Sequence, residues 1–230
     1  SAIISFGETG KNNYVKSIKV NKENPPSIYM GGYVDTDKLG VVRLTQTEEG
    51  FIVAAKYTSD ESSSLFKYPD IRYLDLEEEN NFNIQYHGID QDNDYIYLAP
   101  YGNYDVNNLN ENKVTRVLKD NFVISSIENL TLTSSIPCQG KFTGVTIDKT
   151  NSYGYLSPYE NIVNGNDTDF GVVVRISTNN YISNSTNIRA VDLSNNYQDE
   201  KLTGFMGIKE YGEHLYLVPH KHSTFVRIIK

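Results

Sequence analysis

One pair of short segments occurs four times in this chain, always in the same order. The first member reads Tyr29-Met-Gly-Gly-Tyr33, Tyr97-Leu-Ala-Pro-Tyr101, Tyr155-Leu-Ser-Pro-Tyr159 and Tyr216-Leu-Val-Pro-His220. The second follows after a loop of variable length: Gly40-Val-Val-Arg43, Lys113-Val-Thr-Arg116, Val173-Val-Arg175 and Phe225-Val-Arg227. Successive first tyrosines lie 68, 58 and 61 residues apart. A pattern that returns at a long period restricts the fold strongly. Each unit must be one supersecondary structure that buries its apolar face against its neighbours.

The surroundings of the two segments read as strands. Tyr14–Ile18, Ile84–Ile89, Phe142–Ile147 and Leu202–Ile208 precede the tyrosine segments, each followed by a polar turn. Asn, Asp, Gly and Pro in those turns supply the backbone angles and local hydrogen bonds of tight connections. A fourth strand is expected at Ile71–Leu76, Ile127–Leu132 and Ile188–Leu193. No stretch sustains the apolar period of a helix, and the 18 tyrosines suit a pleated, half-buried surface.

These units predict an all-β chain, a single four-bladed β-propeller domain over residues 1–230. Its blades span 12–76, 82–132, 140–193 and 201–230. The last unit has no fourth strand downstream of its arginine segment, and Ala2–Phe6 reads as the strand that completes it. Residues 1–6 would then join 201–230 in one blade, closing the ring and hiding sheet edges. Two alternatives fit the same residues: a five-bladed ring with a degenerate unit inside Gly50–Leu76, or a piece of a longer repeat array.

The Tyr-x-x-Pro-Tyr and Val-x-Arg pair resembles the propeller-type repeats of the form YLVPY…VVRI. In blade count and closure the ring also resembles the hemopexin-like propeller. That second resemblance covers architecture alone, since hemopexin repeats usually carry Trp and a disulfide. This chain has no Trp and only Cys138. Neither resemblance implies a site residue.

The net charge of −8 opposes non-specific nucleic-acid binding, which runs on phosphate neutralisation by Lys and Arg. No apolar run approaches the ~20 residues of a membrane span, so membrane insertion is not expected. A lone cysteine leaves no disulfide framework within the chain.

The repeat itself supplies the first candidate site. In a ring, equivalent residues surround one axis. Tyr33, Tyr101, Tyr159 and His220 would form one set, and Arg43, Arg116, Arg175 and Arg227 another. Guanidinium groups bind anions bidentately, and tyrosine rings stack on sugar faces or cations. The competing reading is that both sets repeat because the fold does. The tyrosines would then pack between blades, and each arginine would bond to the next blade or to the fourth-strand Asp75 and Asp192.

Asp90-Gln-Asp92-Asn-Asp94 has the alternating carboxylates of a Ca²⁺ loop but lacks the Gly and Glu of an EF-hand. Asn164–Asp169 and Asp35–Asp37 are further acidic loops. Ca²⁺ is a candidate ligand here, with no cofactor required and an ordinary turn as the simpler reading. His220 and His222 would share one face of an extended segment, a fit for a transition metal that also reads as a solvated loop.

No catalytic signature is present: no G-x-S-x-G, no phosphate-binding glycine loop, no H-E-x-x-H. The expected function is non-enzymatic recognition of a carbohydrate or protein ligand, in a cell-surface or extracellular setting. The alternative is a glycosidase- or lyase-type enzyme with an axial pocket, with His87 or His220 transferring protons.

Overall fold

The computed structural model describes residues 14–22, 26–34, 38–45, 71–75, 84–102, 113–120, 122, 126–132, 141–163, 166–168, 172–182, 187–193, 204–219 and 225–230. The chain is all-β, with sixteen strands and no α-helix among these residues. The strands form four small antiparallel sheets, taken in chain order.

Sheet I is a meander of β1 (Tyr14–Asn21), β2 (Ser27–Val34), β3 (Lys38–Thr45) and β4 (Ile71–Asp75). Sheet II repeats it with β5 (Ile84–Gln91), β6 (Tyr95–Gly102), β7 (Lys113–Leu118) and β8 (Ile127–Thr131). Sheet III uses β9 (Lys141–Asp148), β10 (Tyr153–Val163), β12 (Val172–Ser177) and β13 (Ile188–Asp192). Its β10 runs on past the sheet and folds back on β11 (Asn166–Thr168), pairing Asn161 with Thr168. Part of the acidic loop Asn164–Asp169 is thus a strand of a hairpin. Sheet IV has β14 (Phe205–Tyr211), β15 (His214–Pro219) and β16 (Val226–Ile229). Residues 1–6, expected to complete this last unit, lie outside the described residues.

Register explains why two of the repeated residue types recur. In every sheet the first tyrosine of the motif lies directly opposite the arginine: Tyr29 with Arg43, Tyr97 with Arg116, Tyr155 with Arg175 and Tyr216 with Arg227. Opposite residues share a face, so each pair is one cross-strand unit. The Pro of the motif has a separate cause. A proline in a central strand removes a ladder hydrogen bond and is tolerated at a bulge. The first strand of each sheet breaks register there, between Val15 and Ser17, Tyr86 and Gly88, Phe142 and Gly144, and Phe205 and Gly207. Opposite those breaks stand Gly31 and Gly32, Ala99 and Pro100, Ser157 and Pro158, and Val218 and Pro219. One residue is extruded from each ladder: Lys16, His87, Thr143 and Met206.

The cores lie between successive sheets. Tyr97, Val114 and Leu130 of sheet II pack with Phe142, Val145, Leu156 and Val174 of sheet III. Tyr155 and Val173 of sheet III pack with Phe205, Leu215, Leu217 and Val226 of sheet IV. Full burial of one such side chain is worth about 1.5–3 kcal/mol, so each junction is a hydrophobic core in its own right. The first strands approach closely: a Cβ added to Gly88 would lie 2.6 Å from the Gly144 Cα. Only glycine leaves room for that approach between β5 and β9.

Candidate functional site

The shared register extends to the first strands. Lys19, Asp90, Thr146 and Lys209 stand opposite the four motif tyrosines, one per sheet. Asp90 draws this row together. One of its carboxylate oxygens is paired with the Lys19 ammonium of sheet I. The other accepts the Ile147 amide at 3.0 Å and the Thr146 hydroxyl at 3.2 Å from sheet III. The Lys209 ammonium of sheet IV lies 3.5 Å from it. The Thr146 hydroxyl oxygen in turn accepts the Glu210 amide at 3.1 Å. Residues from all four sheets thus meet at one buried carboxylate, only 3% exposed. Burial works to raise its pKa. The Lys19 hydrogen bond and charge, the Lys209 charge and the Ile147 amide outweigh that and hold the carboxyl below the usual range.

The arginines are used between sheets. Arg116 Nη1 donates to the Thr178 carbonyl of sheet III at 2.7 Å. Its Nε and Nη2 both reach Glu128 Oε2, at 3.1 and 2.6 Å. The guanidinium sits over Tyr95 at 4.0 Å and Tyr181 at 4.2 Å. Arg43 makes the same inter-sheet bond one junction earlier, Nη1 to the Lys119 carbonyl at 2.7 Å, with Phe122 in the place of Tyr181. Lys119 and Thr178 are equivalent, each being the first residue after its third strand. Each donates its own amide to the turn between the first two strands, Lys119 to Asp94 and Thr178 to Ser152. The motif tyrosines complete the contact, Tyr29 against Phe122 and Tyr97 against Tyr181, with ring centroids 5.9 and 6.2 Å apart.

Arg43 and Arg116 are thus both engaged at junctions between sheets. Each bonds to the next sheet, the alternative the repeat allowed, but through a main-chain carbonyl. Asp75 and Asp192, named as possible arginine partners, stand opposite Gly40 and Val172 in the register, and their side chains lie outside the described residues. Arg175 lies over the Tyr153 ring at 4.3 Å, and Arg227 is exposed.

The acidic loop is divided between two tasks. Asp90 turns to the shared row just described. Asp92 Oδ1 accepts the Asp94 and Tyr95 amides at 2.9 and 2.7 Å, an Asx turn, and its Oδ2 accepts the Tyr97 hydroxyl at 2.6 Å. Asp94 is exposed. Among the described residues no three His, Cys, Asp or Glu side chains gather around one point. Asp148 heads the equivalent turn of sheet III, accepting the Asn151 amide at 3.2 Å. It also pairs with Lys230 at 2.5 Å, and that ammonium reaches Glu210 at 2.8 Å, tying sheet III to sheet IV.

The second motif position lies nearer the bulges. Tyr33 pairs with Tyr14 and Tyr101 with Gln85, and Tyr159 falls in a further register break of β10. His220 follows β15 and, with His222, lies outside the described residues. This end of the first strands also carries the extruded residues. Lys16 and Met206 are exposed, while His87 and Thr143 are half-buried. The Thr143 hydroxyl donates to the Phe205 carbonyl at 2.5 Å, across the junction with sheet IV. Burial, and then the Lys16 charge, push the His87 imidazole down to about 4, so it is neutral at pH 7.

The Lys19–Asp90–Thr146–Lys209 row was hidden in the sequence by loop length. These residues precede their tyrosines by 10, 7, 9 and 7 positions, so aligning the units by spacing does not superimpose them. The bulges did leave a signal: a repeated proline in a segment that otherwise reads as a central strand.

No family model matches the chain, and no curated protein matches it. Among solved structures, the chain is similar to one in a crystal structure of a nidogen/laminin complex, with 16% identity and a TM-score of 0.48. The match covers 88% of this chain and 55% of that one.

Proposed function

We propose that the four sheets close into a four-bladed propeller that serves as a non-enzymatic recognition module. The ring presents its bulged end to a glycan or protein ligand. Closure is supported by Asp90, whose carboxylate meets lysines from both the first and the last sheet.

One observation carries the recognition reading. The Tyr–Arg pair is constant across all four units, and where its contacts are fullest, at Tyr97 and Arg116, they serve the junction between sheets. The extruded position is constrained to the same place in each sheet yet holds Lys16, His87, Thr143 and Met206, four different chemistries. A scaffold that repeats its framework and varies one position per unit builds a surface with distinct contacts on a fixed frame. Carbohydrate is favoured first, because the aromatic second positions Tyr33, Tyr101 and Tyr159 lie along the same end.

The test is a glycan array followed by affinity capture with the purified chain, each repeated with Lys16→Ala and Met206→Ala. Either substitution should weaken binding at least tenfold while the chain stays folded, since both side chains are exposed. Binding indifferent to both changes, or no ligand in either assay, overturns the reading.

A further inference from the structure

Three positions that are buried at the inner junctions are uncovered on sheets IV and I. The first is the motif tyrosine. Tyr29, Tyr97 and Tyr155 are at most 5% exposed, whereas Tyr216 is 36% exposed. The second lies on the opposite face of the first strand. Ile89 and Val145 are 7% and 5% exposed, whereas their equivalent Ile18 on β1 is 59% exposed. The third is the glycine after the bulge. A Cβ on Gly88 would strike Gly144, and one on Gly144 would lie 3.2 Å from Ile208. One on Gly207 would meet nothing within 4 Å.

Each junction has a direction. The Tyr–Arg face of one sheet looks forward onto the next, as Arg43 does toward Lys119 and Arg116 toward Thr178. The face bearing Ile89 or Val145 receives the sheet before. Among the described residues, sheet IV therefore carries an unused forward half, and sheet I an unused receiving half. Gly207 sharpens the point. Glycine inside a strand weakens it and often marks a place where another backbone comes close. At Gly88 that backbone is present; at Gly207 the glycine is kept and the approaching strand is not in contact.

We infer that the face of sheet IV with Gly207, Tyr216 and Arg227 is a docking surface whose occupant is β1 of the same chain, seated at Ser17 and Ile18. The equivalence is positional: Gly144 meets Ile208 across the third junction, and the residue matching Ile208 in the first sheet is Ile18. The same chain is the occupant because Lys19 of β1 and Lys209 of β14 already share the Asp90 carboxylate. A second copy would have to displace a strand held beside that buried group. This inference rests on the ring closure proposed above but not on any ligand.

The test is a cysteine pair, Ile18→Cys with Gly207→Cys, in a Cys138→Ser background. The pair Gly144→Cys with Ile208→Cys, already in contact, is the control. Backbones that approach as at the control fall within disulfide reach. Mild oxidation should give an intrachain bridge in monomer isolated by size-exclusion chromatography, identified by peptide mass. A bridge formed only in dimers, or none where the control bridges, overturns the inference. Gly207→Val gives an independent readout. A docked strand makes the added branches clash and lowers Tm by about 5 °C, whereas an open face leaves Tm unchanged or raised. Should Gly207→Val fail to express, Gly207→Ala carries the same sign. A bridged monomer that binds nothing on the array would sink the recognition reading and leave this one standing.

Discussion

Arg116 and Arg43 occupy the same place in their sheets, face the same cross-strand tyrosine and donate to the same kind of carbonyl on the next sheet. They differ in their fourth-strand neighbour. Arg116 stands opposite Glu128, which takes up its Nε and Nη2. Arg43 stands opposite Arg72, and its buried Nε has no hydrogen-bond partner among the described residues. The aromatic contacts differ in the same direction: two tyrosines within 4.2 Å of Arg116, one phenylalanine at 5.4 Å from Arg43. A repeated residue therefore secures a repeated position without securing an equal contribution. The energy depends on neighbours that the repeat leaves free to vary.

The largest expected effect breaks this comparison outright. Arg116→Ala should lose about 2–3 kcal/mol, because charge-assisted hydrogen bonds and two ring contacts go together. Arg43→Ala should lose only about 1–2 kcal/mol. Chemical denaturation of the two variants side by side checks the order, and equal losses would mean the fourth-strand neighbour is irrelevant.

Acid separates the first strands from the arginine contacts. The folded His87 imidazole is held at about 4, below its ordinary value near 6.5. Between those values the unfolded chain binds more protons, so stability falls as pH drops from about 6.5 to 4. Asp90, held below the usual carboxylate range, adds a second loss as pH falls further toward its depressed folded value. Tm measured between pH 7 and 4.5 should decline in the wild type and in Arg116→Ala alike, and decline less in His87→Gln. A slope that vanishes in Arg116→Ala would place the sensitivity at the arginine instead.

The smallest effect sharpens the comparison by repair. Arg72→Glu puts a carboxylate opposite Arg43 and removes a like charge. A gain of about 0.2–1 kcal/mol is expected, typical of an opposite-charge cross-strand pair. The denaturation midpoint should rise, and a fall would show that Arg72 serves another contact.

Much of the fold was legible because strand signals are local. The alternating residues around Tyr97 and Arg116 and the Asn- and Asp-rich turns between strands mark β-structure within a window of ten residues. The fourth strands at Ile71, Ile127 and Ile188 stand where their apolar pattern sets them. The candidate site was less legible. Asp90-Gln-Asp92-Asn-Asp94 reads in sequence as one acidic loop, yet Asp90 belongs to a row built from four sheets and Asp92 to its own turn. Nothing within five residues of Asp90 announces Lys19, Thr146 or Lys209, since they arrive from segments 56 or more residues away.

The sequence by itself determined that this chain is built of β-strands in four similar units, each carrying a tyrosine segment and an arginine segment, with a proline in the last three tyrosine segments. Side-chain period and turn chemistry are properties of neighbouring residues, so they survive without a tertiary context. Tertiary structure alone decided which carbonyl each arginine reaches, which carboxylate is buried among lysines, and which of four equivalent tyrosines stays uncovered. Those outcomes depend on the sheet packed alongside. Loops of unequal length bring that sheet into place, and their spacing does not encode the contact they create.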